Sequence, residues 1–308
     1  MDLSRPLRPV PAPSPRPWAG TRLGDGVGEI WMAGPTSIVT LPDGSSMTLD
    51  ELAVAAGVAL VGTAGLAALG HRFPLLAKLI DAADWLSLQV HPDDDLARRL
   101  YGDAAVGKDE VWVLLEAGPG ARLVVGPGPH LDAAAVVAAV AAGTMGLDAC
   151  EIRVPAPGET LNVRSGTIHA IGPDAFVYEL EQPSDLTFRI SDWGRPPVPG
   201  RRLHLDEARQ AVVTAQRAEL VGTDWRLDGG ALNDRHFRLE LITAAAVRAP
   251  GLRSPEIVTA VGAAVTLRGE GWKERLGALE TAVVPAAVAS YAIEPDAGGV
   301  GLVGSLPR

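Results

Sequence analysis

Ser87, Gln89 and His91 stand at alternate positions in the run 85–94, where polar side chains could form a binding site. Alternate side chains of an extended strand point to the same face, so these three share one face and the intervening apolar residues share the other. In the mouth of a barrel, this polar face would offer an imidazole and an amide oxygen to a ligand. Facing solvent, it would be an ordinary strand edge, and alternation alone does not separate the two.

Lys108 and Glu110 form a second candidate pair. They stand two positions apart at the start of the apolar run 111–115, so they also share a face if this run is a strand. A solvated carboxylate is unusual beside such an apolar run, which favours a ligand role for Glu110. A Lys–Glu pair on the surface is the alternative.

His169 is the third candidate, because it stands at the start of a predicted strand after a turn at 164–166. The segment resembles the second cupin motif, Gly-x5-Pro-x-Gly-x2-His, with Gly158, Gly166 and His169 in register. Arg164 replaces the proline of that motif. This departure concerns the geometry of the expected turn and not the ligand itself.

The three segments together supply two imidazoles, one carboxylate and one amide oxygen. Such a set suits a borderline divalent cation such as zinc, with positions left open for water or substrate. Distance along the chain does not show that these groups converge. From the residue types alone, the metal site is therefore a hypothesis beside the plainer interpretation of unrelated surface residues.

The elements that must position these residues are mostly short strands. The 35 glycines and 25 prolines are dispersed between short apolar runs, which is typical of strands joined by tight turns. Strands are predicted at 37–41, 85–90, 110–116, 122–125, 151–154, 160–163, 175–180 and 187–190. Helices are predicted at 48–56, 74–81, 93–101, 132–142 and 205–214.

Residues 213–308 are predicted to form further strands, but they contain a single histidine, His236, and no cluster of potential ligands. We therefore predict two domains. Residues 1–212 hold the metal-binding residues and the helical elements, and residues 213–308 form a smaller, metal-free β-domain. Many strands with Gly and Pro turns favour barrels or sandwiches.

Composition excludes several classes of function. The net charge of −10 argues against general affinity for nucleic acid, although a locally positive pocket could still bind an anionic substrate. The single cysteine, Cys150, permits no intramolecular disulfide and fits a reducing cytoplasm. The uncharged run 52–70 approaches the length of a membrane span, but its Ala and Gly content favours packed helices. The N-terminal residues lack the apolar region of a secretory signal.

Four ordered motifs resemble type I mannose-6-phosphate isomerases, in particular the short bacterial form without a large helical insertion. The motifs are the segments 86–94, 107–110, 165–170 and 179–195, with further similarity at 18–21 and 73–82. The resemblance implies a mainly β fold with two cupin-type β-barrels (jelly rolls) and a few short helices packed on the first. The second of these barrels would be the metal-free, cupin-like domain.

The resemblance also implies one divalent metal ion, zinc. Transferred motif by motif, its ligands fall on Gln89, His91, Glu110 and His169. The groups that contact substrate in the family fall on Ser87, Lys108 and Arg189, with Arg195 as a further candidate. Glu179 matches an acidic position of the family's active site.

The implied activity is the interconversion of mannose 6-phosphate and fructose 6-phosphate through an enediolate, with Arg189, Glu179 and Lys108 as catalytic residues. Glu179 is the first candidate for the base, and a water on the metal is the alternative. The expected partner is a small phosphorylated sugar, and the protein is expected to be a cytoplasmic monomer or small homo-oligomer that binds neither nucleic acid nor membranes. Two alternatives stay open: a non-catalytic cupin that senses a sugar phosphate, and an isomerase of another phosphosugar.

Overall fold

The protein is mainly β in a computed structural model that describes residues 2–196, 200–226 and 230–308. The described residues form five α-helices: α1 Leu49–Ala56, α2 Val58–Leu69, α3 Asp94–Tyr101, α4 Ala133–Ala142 and α5 Leu205–Ala211. The strands are β1 Ala12–Pro15, β2 Val27–Ala33, β3 Ile38–Thr40, β4 Ser46–Thr48, β5 Leu76–Ala82, β6 Leu88–Val90, β7 Glu110–Ala117, β8 Leu123–Pro127, β9 Cys150–Arg153, β10 Thr160–Val163, β11 Ala170–Ile171, β12 Ala175–Glu181, β13 Phe188–Ser191, β14 Glu219–Gly222, β15 Ala231–Asn233, β16 Arg238–Ile242, β17 Ala246–Arg248, β18 Glu256–Val261, β19 Val265–Gly269, β20 Trp272–Leu276, β21 Thr281–Val284, β22 Tyr291–Pro295 and β23 Val300–Ser305.

Strand β7 shows why most predicted elements occur where the sequence places them. Its first six residues are all buried, so its apolar run fills both faces of the strand. The predicted strand 160–163 coincides with β10, and the predicted helix 93–101 occurs as α3. The side chain of Asp93 caps α3 by accepting a hydrogen bond from the Leu96 N–H group at 2.8 Å.

The predicted helix at 74–81 is wrong, because this segment contains strand β5. Leu, Ala and Lys favour helices when packing does not decide, which explains the error. All seven residues of β5 are buried, so packing on both faces of the sheet overrides the intrinsic preference.

Lys78 also lies in this strand and stacks its ammonium over the ring of Trp31, 4.9 Å from the centroid.

The chain divides into two compact units. The terminal unit consists of Met1–Pro13, Ile30–Leu79 and Asp224–Arg308, and the central unit consists of Ser14–Glu29 and Ile80–Thr223. This division differs from the boundary predicted at 212/213, because the segment with α1 and α2 clusters with the C-terminal strands. Helices α3, α4 and α5 belong to the central unit.

The strands that contain the candidate residues belong to the central unit. A seven-stranded sheet has the order β1-β2-β5-β12-β7-β10-β14, and the unit boundaries fall inside β1, β2 and β5. Strand β7 pairs with β12 in an antiparallel register that sets Glu110 opposite Glu181. Strands β6 and β13 form a separate ribbon in which Gln89 lies opposite Arg189. These registers bring four segments that are distant in sequence to one place.

The C-terminal strands of the terminal unit form two sheets, with the orders β15-β16-β23-β18-β21 and β17-β22-β19-β20, and β3 and β4 of the same unit pair with each other. A buried ion network lies among its strands: the Arg248 guanidinium contacts Glu256 at 2.6 Å and Glu240 at 2.8 Å. The hydroxyl of Tyr291 donates to Glu256 at 2.6 Å. This satisfied network has a structural role in the unit's core.

Helices α1 and α2 contain the uncharged run 52–70. Among the described residues no single helix is long and apolar enough to cross a membrane; α1 and α2 pass that test only as a pair, and they are bent by 94° at the break between them. Thr48 begins α1 with a capping box, in which its hydroxyl accepts from the Glu51 N–H group and the Glu51 carboxylate accepts in return.

Gly62 allows a first prediction, because it interrupts α2 with a φ of +72°. A Cβ at this position would overlap the backbone carbonyl of Arg253. We expect Gly62→Ala to lower the free energy of unfolding by about 3 kcal/mol or more, combining backbone strain with a steric clash. Chemical denaturation measures this value.

Gly70→Ala is the matched control, since Gly70 has a similar φ of +62° but, beyond its own helix and chain neighbours, no atom of the described residues lies within 4 Å of an added Cβ. Strain alone predicts a loss of about 1–2 kcal/mol there. Equal stability of the two variants would contradict the proposed clash with Arg253.

Candidate metal centre

His91 and His169 meet at the end of strand β6. Gln89 and His169 form an isolated antiparallel bridge, with N–H···O distances of 3.1 and 2.9 Å in the two directions. This bridge brings the two imidazole rings to 4.7 Å between centroids, and both histidines are fully buried. The two histidines, whose convergence the sequence does not show, therefore lie side by side in the structure.

Backbone carbonyls fix the orientation of both imidazoles. The Nδ1–H group of His91 donates to the Leu186 carbonyl at 2.8 Å, and that of His169 donates to the Thr167 carbonyl at 2.9 Å. Each neutral ring therefore presents its Nε2 lone pair to the same space. A hydrogen bond on the remote ring nitrogen is the usual way in which a protein orients a metal-binding histidine.

Glu110 provides a carboxylate to that space from the first residue of β7. Its Oε2 lies 3.3 Å from Nε2 of His91, and its Oε1 lies 3.4 Å from Nε2 of His169. Each of these three residues offers one ligand atom, and the three atoms all lie within 4.8 Å of one another. Gln89 approaches from β6, with its amide nitrogen 3.2 Å from Nε2 of His169. A half-turn of the amide would present the oxygen instead.

Burial keeps the two imidazoles neutral, the state in which they can bind a metal. Desolvation lowers the pKa of His169 to about 4, and desolvation followed by the charge of Lys108 lowers the pKa of His91. Burial alone would raise the pKa of Glu110, but Lys108, His91 and His169 together outweigh burial and hold that pKa well below its usual value. Glu110 is therefore a carboxylate at neutral pH.

Lys108 lies among three buried carboxylates. Its Nζ is 2.6 Å from Glu110, 2.8 Å from Glu181 and 3.7 Å from Glu179. Burial alone would lower the pKa of Lys108, but these three charges raise it well above the usual value. One cation against three carboxylates leaves a formal charge of −2 in a place from which water is excluded.

A divalent cation fits this group of residues on two grounds. The Oε1 atom of Glu110 is buried without a hydrogen-bond partner among the residues that the structure describes. Such an orphaned acceptor is costly unless a cation or water completes it. A charge of +2 would also neutralise the buried cluster, and two imidazoles with a carboxylate are donors that a borderline cation prefers.

Glu179 lies on β12 and is held by an indole. Its Oε2 accepts a hydrogen bond from Nε1–H of Trp112 at 2.9 Å, which leaves Oε1 as the oxygen nearer to Lys108. Glu179 and Glu181 alternate on β12, so both point to the face occupied by Glu110. Sequence reasoning identified Glu179 and missed Glu181, although their period of two was a usable signal.

Ser87 and Arg189 form the other end of the polar face. The Nε–H group of Arg189 donates to Oγ of Ser87 at 2.9 Å, and Arg201 donates to the same oxygen at 3.0 Å. Ser87 in turn donates to Asp192 at 2.7 Å. Burial and the charge of Arg201 lower the pKa of Arg189. Arg201 did not emerge from the sequence.

Arg195 is linked to the Ser87–Arg189 group by ion pairs with two carboxylates. Its guanidinium pairs with Asp192 at 3.0 Å and with Asp84 at 2.8 Å. These contacts tie the segment after β13 to the residues before β6. Arg195 is therefore engaged with protein groups in this structure.

The turn before His169 forms despite the replacement of proline by Arg164. The Thr167 N–H group donates to the Arg164 carbonyl at 3.1 Å, and Gly166 adopts a φ of +87°. A positive φ at the third residue of a turn is the requirement that glycine meets. Arginine is tolerated at the first position, so the substitution leaves His169 at the start of β11.

Comparison with known proteins places these features in a family. Residues 21–108 match the model of the phosphomannose isomerase type I catalytic domain, a segment that includes Gln89, His91 and Lys108. The mannose-6-phosphate isomerase of Streptococcus mutans is 34% identical over 216 residues, which cover 65% of this chain and 66% of that protein. Mannose-6-phosphate isomerase ManA of Bacillus subtilis is 33% identical over 145 residues, covering 46% and 45%. The matched segments thus span about half to nearly two thirds of these relatives.

Solved structures show the same fold over almost the full chain. The mannose 6-phosphate isomerase of Bacillus subtilis superposes with a TM-score of 0.79 at 24% identity, covering 97% of this chain and 99% of that one. The phosphomannose isomerase of Salmonella typhimurium superposes with a TM-score of 0.75 at 13% identity, covering 99% and 100%. Taken with the catalytic-domain match and the curated relatives, the chain belongs to the type I phosphomannose isomerase family.

Proposed function

We propose that the protein interconverts mannose 6-phosphate and fructose 6-phosphate with the help of one divalent metal ion, and that this ion is zinc. The observation that supports this best is the convergence of His91, Glu110 and His169 beside the buried ammonium of Lys108. A sugar-binding sensor would not need a buried cation among carboxylates next to the metal ligands. Family membership supports the same conclusion.

The metal would be held by Gln89, His91, Glu110 and His169. Zinc suits two imidazoles and a carboxylate, and it commonly keeps a position open when it takes part in catalysis. When bound, the ion supplies Lewis acidity that stabilises negative charge developing on substrate oxygens. The second ring nitrogens of both histidines are engaged by carbonyls, so the protein holds the ligands in place before the ion arrives.

Glu179 is the proposed base that moves the proton between C1 and C2. The Trp112 indole holds one oxygen of Glu179, which orients the other toward Lys108. A base needs a fixed position within reach of the proton before its pKa matters. The charged Lys108 would stabilise the enediolate oxygens, because an ammonium acts strongly where water is excluded.

Arg189 and Ser87 would bind the phosphate end of the substrate. Arg189 lies opposite Gln89 in the β6–β13 ribbon, and its guanidinium reaches Ser87. A planar guanidinium matches the geometry of a phosphate. Arg195, fixed by Asp192 and Asp84, would hold the segment behind Arg189 in place.

Several further properties complete the proposal. The chain would contain two cupin-type barrels, of which only the one within residues 1–212 holds metal ligands, although residues 30–79 cluster with the C-terminal strands. The protein would act in the cytoplasm as a monomer or small homo-oligomer on a small phosphorylated sugar, without nucleic acid or membrane partners. The fold of the related solved structures supports the first of these points.

Removal of the metal is the experiment that tests the function. We expect dialysis against a chelator to lower turnover of mannose 6-phosphate by at least about 100-fold, because no other group in the proposed site replaces the cation. Zinc should restore turnover. The assay couples fructose 6-phosphate formation to NADPH production, and metal analysis of the same samples gives the content per chain.

Parallel assays separate the proposed substrate from its alternatives. Glucose 6-phosphate and ribose 5-phosphate as substrates would detect an isomerase of another phosphosugar. Binding of mannose 6-phosphate without turnover in the zinc-loaded protein would favour the sugar-phosphate sensor. Full activity after exhaustive metal removal would refute the metal-dependent mechanism.

A further inference from the structure

A group of arginines surrounds Ser87. The side chains of Arg189, Arg195 and Arg201 gather there; Asp192 and Asp84 form ion pairs in this group, and the charges of Asp185 and Arg16 also act on Arg189. Asp84 is 60% exposed, so water screens its share of the interaction. Three guanidiniums thus gather around one serine in a chain whose net charge is −10.

Arg189 has no ion-pair partner in this cluster. Its hydrogen bonds go to Oγ of Ser87 at 2.9 Å and to the backbone carbonyl of Arg202 at 3.0 Å, and none of the residues that the structure describes brings a carboxylate within 4.0 Å of it. A half-buried guanidinium without a carboxylate is unfavourable in the absence of an anion. Several of its N–H groups remain available for one.

Arg201 is fixed beside Arg189 by contacts that leave part of its fork available. It donates to Asp192 at 2.9 Å and to Ser87 at 3.0 Å. The segment that contains it is tied to β13, because the His204 N–H group donates to the Arg189 carbonyl at 2.8 Å and the Arg189 N–H group donates to Nδ1 of His204 at 3.2 Å. Two guanidiniums thus converge on the hydroxyl of Ser87, a residue that is only 3% exposed.

The short distance in sequence from Ser87 to strand β6 relates this cluster to the metal ligands. Ser87 and Gln89 are two residues apart, which corresponds to about 7 Å in an extended chain. An open-chain sugar 6-phosphate has its reacting carbons at one end and its phosphate at the other. The same polar face therefore offers metal ligands to one end of such a molecule and arginines to the other.

We propose that Arg201 is a substrate-binding residue that, together with Arg189 and Ser87, forms the subsite for a phosphate monoester. This inference rests on the proposed function for the identity of the sugar, but not for the presence of an anion site. Arg201 would contribute specificity for phosphorylated over neutral sugars. One guanidinium can bind a phosphate through two parallel N–H···O bonds, and two guanidiniums supply twice the donors and twice the positive charge.

Substitution of Arg201 tests the proposal through binding and kinetics. We expect Arg201→Ala to raise the KM for mannose 6-phosphate about 10- to 100-fold, the effect of losing a charge-assisted hydrogen bond, while kcat changes less than about threefold. Calorimetric titration with inorganic phosphate should show a comparable weakening in the zinc-loaded protein. The matched control is Arg209→Ala, which removes an exposed arginine of α5 and should change neither value.

A second set of variants separates binding from structure. Loss of Arg201 leaves Asp192 with one guanidinium fewer, and that carboxylate could itself repel phosphate. Weakened phosphate binding by Arg201→Ala should therefore persist in an Asp192→Asn background. Should Arg201→Ala lower the melting temperature, Arg201→Gln takes its place, because its amide can still bond to Asp192.

The results that would refute the phosphate subsite differ from those that would refute the proposed isomerase activity. Phosphate binding by a folded Arg201→Ala variant within twofold of the wild type would overturn the assignment. Equal losses with mannose and mannose 6-phosphate would also overturn it, since a phosphate contact cannot affect a neutral sugar. Arg201-dependent phosphate binding in a wild-type protein that does not isomerise mannose 6-phosphate would support the anion subsite while refuting the proposed function.

Discussion

His169→Ala is expected to lose its metal and its turnover together while the protein stays folded. The variant removes one imidazole from the convergent group of His91, Glu110 and His169. Metal affinity should fall by more than about 100-fold, beyond the usual effect of losing a group that only supports a ligand. We expect kcat/KM for mannose 6-phosphate to fall by about 1,000-fold or more, because the proposed reaction depends on that ion.

Metal analysis after gel filtration and the coupled isomerase assay measure the two effects. His130→Ala is the matched control, since His130 is exposed and outside the cluster. Circular dichroism should report a native fold for both, with His169→Ala losing no more than about 3 kcal/mol of unfolding free energy. Wild-type turnover by His169→Ala in chelator-treated buffer would disprove the assignment of this ligand.

Lys108→Met is expected to destabilise the metal-free protein more than any other single substitution considered. The variant leaves Glu110, Glu179 and Glu181 buried without the cation that contacts all three. Removing one partner of a buried ion pair costs about 3–5 kcal/mol, because the remaining charge stays desolvated. Turnover should fall by at least about 100-fold, the typical contribution of a group that acts directly on the reaction.

Urea denaturation with and without zinc measures the stability of this variant. Zinc should restore part of the lost stability by supplying positive charge to the same carboxylates. Adding Glu181→Gln to Lys108→Met should also restore part of it, by removing one of the three neighbouring negative charges. Lys273→Met, at an exposed position of β20, serves as the control. A Lys108→Met variant as stable as the wild type would mean that the carboxylates are not jointly charged.

The period of two along strands made much of the candidate site predictable. Gln89 and His91 share a face with Ser87, and Lys108 shares one with Glu110, as local geometry requires. The convergence of these strands was not contained in any local pattern. It depends on registers such as Glu110 opposite Glu181, which only the assembled sheet determines. Only the resemblance to a known family led us to expect that these residues form one site.

The sequence did not indicate a role for Arg201, and it predicted the wrong secondary structure for residues 74–81. Arg201 contacts Ser87 across 114 residues of sequence, and nothing in its neighbours distinguishes it from the exposed Arg202. Residues 74–81 have a helical composition but contain a buried strand, because packing on both faces outweighs propensity. Both failures concern tertiary contacts that determine what local residues do.

A metal titration tests the central claim most directly. Zinc is added stepwise to the metal-depleted protein, and the initial rate of mannose 6-phosphate isomerisation is measured at each ratio of metal to chain. Because a single site formed by Gln89, His91, Glu110 and His169 is proposed, the rate should rise linearly from near zero and level off at one equivalent. A rate that is already maximal without added metal, or that stays at zero with one equivalent bound, would contradict the account.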